Sequence, residues 1–160
     1  MTYGTTPNMQ FYLNEYTMKY AVLNALNFHY TGGGTNTAGA IDKMRNDVFT
    51  SGRGDRRGVA NIGVVITDGR SSDRKKTIQS AMNARKQGIE LLSVGVGGNV
   101  DDSEMKAVAN FPQDRNYFKT GSFDSLGGLA NNLILAICNG TSHRCVLVAT
   151  SVVSPLFKHR

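Results

Sequence analysis

Along this chain the apolar positions change period repeatedly, and each change marks an element. Val59 to Thr67 is a largely apolar, β-branched run that stops at Asp68-Gly69, and Ile89 to Val96 is a second such run that stops at Gly97-Gly98. Apolar runs of this length, bounded by turn residues, predict parallel strands buried on both faces. Around them the period is helical. Ala21, Val22, Ala25 and Leu26, with Met18 a turn earlier, predict a helix over residues 16–27, and Ala40, Ile41, Met44, Val48 and Phe49 predict another over residues 35–49. Ile78, Ala81, Met82 and Arg85 lie down one side of a third, capped by Asp73 and closed at Gly88. A short helix begins at Asp101 or Asp102 and is broken by Phe111-Pro112; residues 116–119 make a brief strand. Leu126, Leu129, Leu133 and Ile137 stripe the last clear helix, capped by Ser122 or Asp124.

At the start of the chain, Met1 to Gly4 reads as the end of a strand, Thr5 to Asn8 as a turn, and Met9 to Leu13 as the hairpin partner. The order β-α-α-β-α-β-α-β-α demands a mainly parallel sheet with helices on both faces, a doubly wound α/β fold. In such sheets ligands sit outside the carboxyl ends of the strands, the position expected of Asp68. A carboxylate there also suits capping of the next helix, so the local sequence leaves two readings of it. The glycines Gly32-Gly33-Gly34 form a loop that delivers Thr35 and Thr37 to a helix start, where hydroxyl and amide groups serve as caps or as an oxygen-rich ligand site.

Composition changes this picture little. The 160 residues are 40% apolar and 19% charged, ordinary for one soluble globular domain. The net charge of +6 is concentrated in Arg53 to Arg57, Arg70 to Lys76 and Lys158 to Arg160. It is spread over loops without interleaved aromatic residues, which favours a solvated surface over a nucleic-acid site. The longest apolar run, Val146 to Val153, is far short of the roughly 20 residues of a membrane span, and no secretory signal pattern opens the chain as given. Cys138 and Cys145 can pair with each other, pair with cysteines elsewhere, or stay reduced. Asn139-Gly140-Thr141 between them is an N-glycosylation acceptor pattern, meaningful only in a secreted protein.

Several chemistries are excluded by their missing parts. The loop from Thr31 to Ala38 lacks the lysine of a phosphate-binding loop, and Gly95-Val96-Gly97-Gly98-Asn99-Val100 has valine where a dinucleotide fingerprint needs its third glycine. His29, His143 and His159 belong to no nucleophile or metal-ligand spacing, Ser71 and Ser72 lack a nucleophile elbow, and Cys138, His143 and Cys145 are too few for a structural zinc site. Arg53-Gly54-Asp55 spells an integrin-binding tripeptide, a short pattern that also arises by chance. What survives is an oxygen cluster, Thr35 at a helix start and Asp68 at a strand end, of the type that hard divalent cations accept. One hydroxyl and one carboxylate are too few to hold such an ion well.

At these residues the chain resembles the von Willebrand factor type A domain, most closely the versions in matrilins and matrix collagens. Gly33-Gly34-Thr35-Asn36-Thr37-Ala38-Gly39-Ala40-Ile41 is similar to that family's second-loop block, and Val64-Val65-Ile66-Thr67-Asp68-Gly69-Arg70-Ser71 to its strand-four motif. Gly88 to Gly97 resembles the next strand, and the helix ending Ile137-Cys138 the usual close of the domain. The resemblance covers residues 1 to about 138 in family order. It implies a metal-ion-dependent adhesion site in which Thr35 and Asp68 help hold Mg²⁺ (or Mn²⁺ or Ca²⁺) while an acidic side chain of a partner completes the shell. The family's first ligand block, Asp-x-Ser-x-Ser on a central first strand followed by a first helix, is absent, which removes three of the five expected ligand side chains.

The expectation is therefore a partial von Willebrand factor type A domain over residues 1–138, read as N-terminally truncated, and a tail over 139–160. That tail is expected to pack at a sheet edge, begin a neighbouring domain or be foreign sequence, because filling the central gap requires an awkward crossover. The implied function is non-enzymatic adhesion in the extracellular matrix, with collagen or other matrix proteins as partners. The alternative is a metal-independent intracellular α/β binding or structural domain.

Overall fold

A computed structural model of the chain describes residues 1–27, 33–140 and 150–153. One six-stranded sheet runs through it in the order β2-β1-β6-β3-β4-β5. The strands are β1 (Thr2–Tyr3), β2 (Pro7–Asn8), β3 (Asn61–Thr67), β4 (Ile89–Val96), β5 (Tyr117–Thr120) and β6 (Thr150–Val153). Only the β1–β2 hairpin is antiparallel; β1–β6, β6–β3, β3–β4 and β4–β5 are parallel. The helices are α1 (Lys19–Ala25), α2 (Thr37–Lys43), α3 (Arg74–Lys86), α4 (Asp102–Val108), α5 (Gln113–Asn116) and α6 (Leu126–Gly140), with a π-helical turn over Met44–Val48 directly after α2. The doubly wound α/β architecture is the one expected from the sequence.

The two apolar runs become β3 and β4, paired in register along seven residues from Asn61↔Ile89 to Thr67↔Gly95. Alternation along each strand divides the core into two layers. Val65 and Leu91 face Ile41 and Met44 of the α2 segment, Ala81 and Ala84 of α3, and Met105 and Val108 of α4. Ile62, Val64, Leu92, Val94 and Val96 face the α6 stripe of Leu126, Leu129, Leu133 and Ile137. Gly63 is where a side chain on β3 would be intolerable: a Cβ there would lie 2.6 Å from Met44 Sδ and 3.0 Å from Leu91 Cδ2. Its absence lets the α2 segment close onto the sheet.

Three expectations are corrected. Residues 9–13 are not a strand, and the hairpin is confined to Thr2–Tyr3 and Pro7–Asn8. The helix expected over residues 16–27 shrinks to Lys19–Ala25, has no fully buried residue, and leaves Tyr20 61% and Leu23 56% exposed. Its apolar spacing thus reflects a weakly packed surface turn; only Ala21, Val22 and Ala25 are half-buried.

The third correction concerns the tail. Thr150–Val153 occupies the centre of the sheet between β1 and β3, with Gly63↔Thr150, Val64↔Ser151, Val65↔Val152 and Ile66↔Val153 in parallel register. The crossover is an ordinary β-α-β return: β5 and β6 are parallel, and α6 makes the journey back between them. Three strand spacings separate β5 from the slot, about 14 Å at ~4.8 Å each, and nine linking residues reach up to about 30 Å.

Replacing Gly63 by valine should cost about 2 kcal/mol through overpacking, read as a lower urea midpoint with unchanged slope. Adding Met44→Ala to that variant should recover part of the loss, because the two side chains compete for one space.

Candidate functional site

The carboxyl ends of β3 and β4 and the start of α2 meet at one edge of the sheet. There the chain folds three turns against one another. Gly34 N–H donates to Thr5 Oγ1 (3.0 Å), Asn36 N–H to the Gly4 carbonyl (2.8 Å), and the Asn36 amide to the Thr5 carbonyl (3.1 Å). On its other side the loop is tied to the turn after β3: Thr35 N–H donates to Ser72 Oγ (3.1 Å) and Ser72 N–H to the Thr35 carbonyl (2.8 Å). The cap of α2 is Asn36, whose side chain accepts from Gly39 N–H at 2.9 Å. Thr35 therefore sits one residue ahead of the cap, while Thr37 enters the first turn and is buried.

The two residues singled out in the sequence are brought together. Asp68 follows the last residue of β3 and is partly exposed, and Thr35 Oγ1 lies 3.8 Å from where a Cβ on the adjacent Gly69 would stand. Thr67 shapes the turn between them, its hydroxyl donating to the Gly69 carbonyl at 3.1 Å.

Two further groups hold this edge and were not singled out in the sequence. Glu104, 2% exposed, accepts from Ser71 N–H (3.3 Å) and from Ser71 Oγ, fixing the Asp68–Ser72 turn from below. Its sequence signal is an Asp-x-x-Glu pattern at the start of α4, where Asp101 caps the amides of Ser103 and Glu104; that pattern reads as a helix start, so it hides the second task. Tyr3 is completely buried under the same edge and donates its hydroxyl to the Ile66 carbonyl at 3.3 Å. Burial pushes its pKa up to about 12, against the pull of the Thr67 and Thr37 hydroxyls, and the charges of Asp68 and Glu104 add to the rise.

Other candidates fall away from this edge. Arg53 is stacked 4.0 Å over the Tyr12 ring and Gly54 is packed against Asn14, so Arg53-Gly54-Asp55 is folded onto the N-terminal segment. Asn139 lies in the last turn of α6. Cys138 is disulfide-bonded; Cys145, the chain's only other cysteine, lies outside the described residues, as do His29, His143 and His159. Among the described residues no three His, Cys, Asp or Glu side chains gather as a metal cluster, and no helix is long and apolar enough to cross a membrane.

A family profile for the von Willebrand factor type A domain matches residues 1–132, and the chain belongs to that family. It is 34% identical over 156 residues to the mouse collagen alpha-6(VI) chain, covering 96% of this chain and 7% of that protein. It is 30% identical over 138 residues to the collagen alpha-1(XII) chain of Notophthalmus viridescens (86% and 14% covered) and 31% identical over 137 residues to human matrilin-1 (85% and 27%). The chain thus spans 7% to 27% of the length of these relatives. Among solved structures, proximal thread matrix protein 1 of the mussel byssus, with a zinc-occupied MIDAS motif, superposes with a TM-score of 0.78 at 20% identity over 84% of this chain and 34% of that one. The manganese-loaded Plasmodium vivax TRAP protein gives 0.52 at 14% identity, over 71% and 46%. At those identities the structures establish the shared fold.

The chain's own residues do not fit a resident cation. Thr35 and Asp68 supply one hydroxyl and one carboxylate, the nearest buried carboxylate, Glu104, is committed to Ser71, and no Asp-x-Ser-x-Ser block occurs anywhere in the sequence. Octahedral Mg²⁺ held by these two groups alone would draw about four of its six ligands from water.

Tyr3 gives this edge a pH signature. Because its pKa is higher in the fold (about 12) than its ordinary value of 10.0, its contribution to stability is complete below pH 10 and drains away as pH rises through about 12. Tyr3→Phe should lose about 1 kcal/mol at neutral pH through the missing hydrogen bond. The stability gap to the parent should close on raising the pH through that window in urea titrations; a constant gap would contradict the buried, neutral phenol.

Proposed function

We propose that this domain is a non-enzymatic adhesion module of the extracellular matrix, binding collagen or other matrix proteins at the sheet edge that carries Thr35 and Asp68. The reading is carried by one conjunction. The relatives that match nearly the whole chain are matrix collagens and a matrilin, and the edge that carries Thr35 and Asp68 is preorganised by hydrogen bonds among three separate turns. Rigid turns around exposed polar groups reduce the ordering cost of binding. The hydroxyl–carboxylate pair at this edge, Ser71 with Glu104, is tied into the turn after β3 by the Ser71 amide as well, a structural bond that favours recognition over turnover.

Thr35 and Asp68 are this chain's share of the family's divalent-cation site. Within the residues of this chain, contact with a partner is made by these two groups, Asp68 taking a donor side chain of the partner. Secretion accompanies this reading, with Asn139 as a glycan acceptor and Cys138 with Cys145 as a disulfide.

Two measurements test it. Binding of the chain to immobilised collagen and matrilin films should persist in EDTA, and Mg²⁺ should leave the melting temperature unchanged, since a ion that does not bind the native state cannot stabilise it; loss of binding in EDTA would show a complete cation site. Asp68→Ala should weaken film binding about tenfold, the range of a modest interface hot spot, measured on protein whose circular dichroism shows it folded. Equal binding by that variant would remove the edge from the interface.

A further inference from the structure

At the amino ends of the strands, opposite the edge that carries Thr35 and Asp68, an open cleft of about 430 Å³ is bounded by α6 and the turn that leads into β5. Its lining is largely aromatic and apolar, with Phe111, Pro112, Phe118 and Leu135 as the main walls. Phe111 is 90% exposed, more than any other large apolar side chain among the described residues, and Leu135 is 57% exposed. The turn that carries Phe111 is pinned in place. Asn110 N–H donates to the Leu91 carbonyl (2.8 Å), Leu91 N–H to Asn110 Oδ1 (2.9 Å), and the Asn116 amide to the carbonyls of Asn110 (3.2 Å) and Pro112 (3.1 Å). An exposed apolar wall on a rigid turn is a feature of interaction surfaces, and its rigidity keeps the ordering cost of binding low.

Glu90, the second residue of β4, lines the same cleft. It makes no hydrogen bond or ion pair among the described residues, and partial burial raises its carboxyl above the ordinary carboxylate range. The other charged residue of the lining, Arg115, is exposed and forms no ion pair with it. A carboxylate that has lost hydration without gaining a partner is destabilised, and an incoming cation offsets that cost. A lysine would answer the charge alone. An arginine also presents a fork of donors to the carboxylate and a planar face to phenylalanine rings, while its stem lies along apolar walls. We infer that this cleft takes an arginine side chain of a partner protein, held by Glu90 and the walls of Phe111 and Phe118, with an acidic neighbour of that arginine meeting the exposed Arg115.

The test is a nuclear magnetic resonance titration of the full 160-residue chain with acetyl-Arg-Glu-amide. Saturable shifts should appear at the amides of Glu90, Phe118 and Ala136. Those of Thr35 and Asp68 should not move, since Glu90 and Val96 stand at opposite ends of β4, about 20 Å apart at ~3.3 Å per residue. Acetyl-citrulline-Glu-amide has nearly the same shape without the positive charge and should bind about tenfold more weakly, the usual size of a hydrogen bond to a charged group. Glu90→Gln should weaken the arginine peptide by a similar factor. Absence of saturable shifts at the cleft, or equal affinity for the citrulline peptide, overturns the inference on the unmutated chain; equal binding by a folded Glu90→Gln variant overturns it as well. None of these outcomes bears on the Thr35–Asp68 edge, which is tested by its own variant.

Discussion

The structure depends on one constraint: β3 is a buried parallel strand, and its backbone must be paired on both edges. One edge is satisfied by β4 along its whole length; the other is open unless a further strand lies against it, because a buried N–H or C=O left unpaired costs about as much as a lost hydrogen bond. In this chain Thr150–Val153 supplies that pairing at Gly63, Val64, Val65 and Ile66. Through it β1 is joined to the sheet, and with β1 come Tyr3 and the Gly4–Thr6 turn that grips the loop before α2. The far C-terminal segment and the candidate site are therefore mechanically linked.

The edge that carries Thr35 and Asp68 is organised from beneath. Glu104 holds the turn after β3 through Ser71, Ser72 holds Thr35 by its backbone, and Tyr3 closes the space under Ile66 and Thr67. Each is a contact between residues more than thirty positions apart, so the edge exists only when the whole sheet is assembled. This is why two residues mark the edge in the sequence while the contacts that hold it come from α4, β1 and the turn after β3.

Much of this was legible in the chain. The runs over Ile62–Thr67 and Ile89–Val96, the Asp73 cap of α3 and the leucine stripe of α6 signal their elements by local chemistry alone, and their order dictates a doubly wound sheet. The meeting of Thr35 and Asp68 was legible because a strand tip and a helix start lie on one edge in any such sheet. The tail was not, because Thr150-Ser151-Val152-Val153 is too short and too polar to read as a central strand, and its place is set by what β3 lacks. Glu104 and Tyr3 were hidden for a related reason: each has an adequate local explanation, a helix start and a strand end, and acquires its second role only through a distant partner. The weak packing of Lys19–Ala25 is the converse case, apolar spacing without a surface to bury it against.

Native-state hydrogen exchange of the full chain, read residue by residue, tests the completed sheet most directly. If Thr150–Val153 fills the slot, the amides of Val152 and Val153 are protected and open together with those of Val64, Val65 and Ile66, as one cooperative unit. If amides 150–153 exchange as freely as an unstructured chain while those of β3 remain protected, the sheet is closed by something else, and the link from the tail through β1 to the Thr35–Asp68 edge is broken.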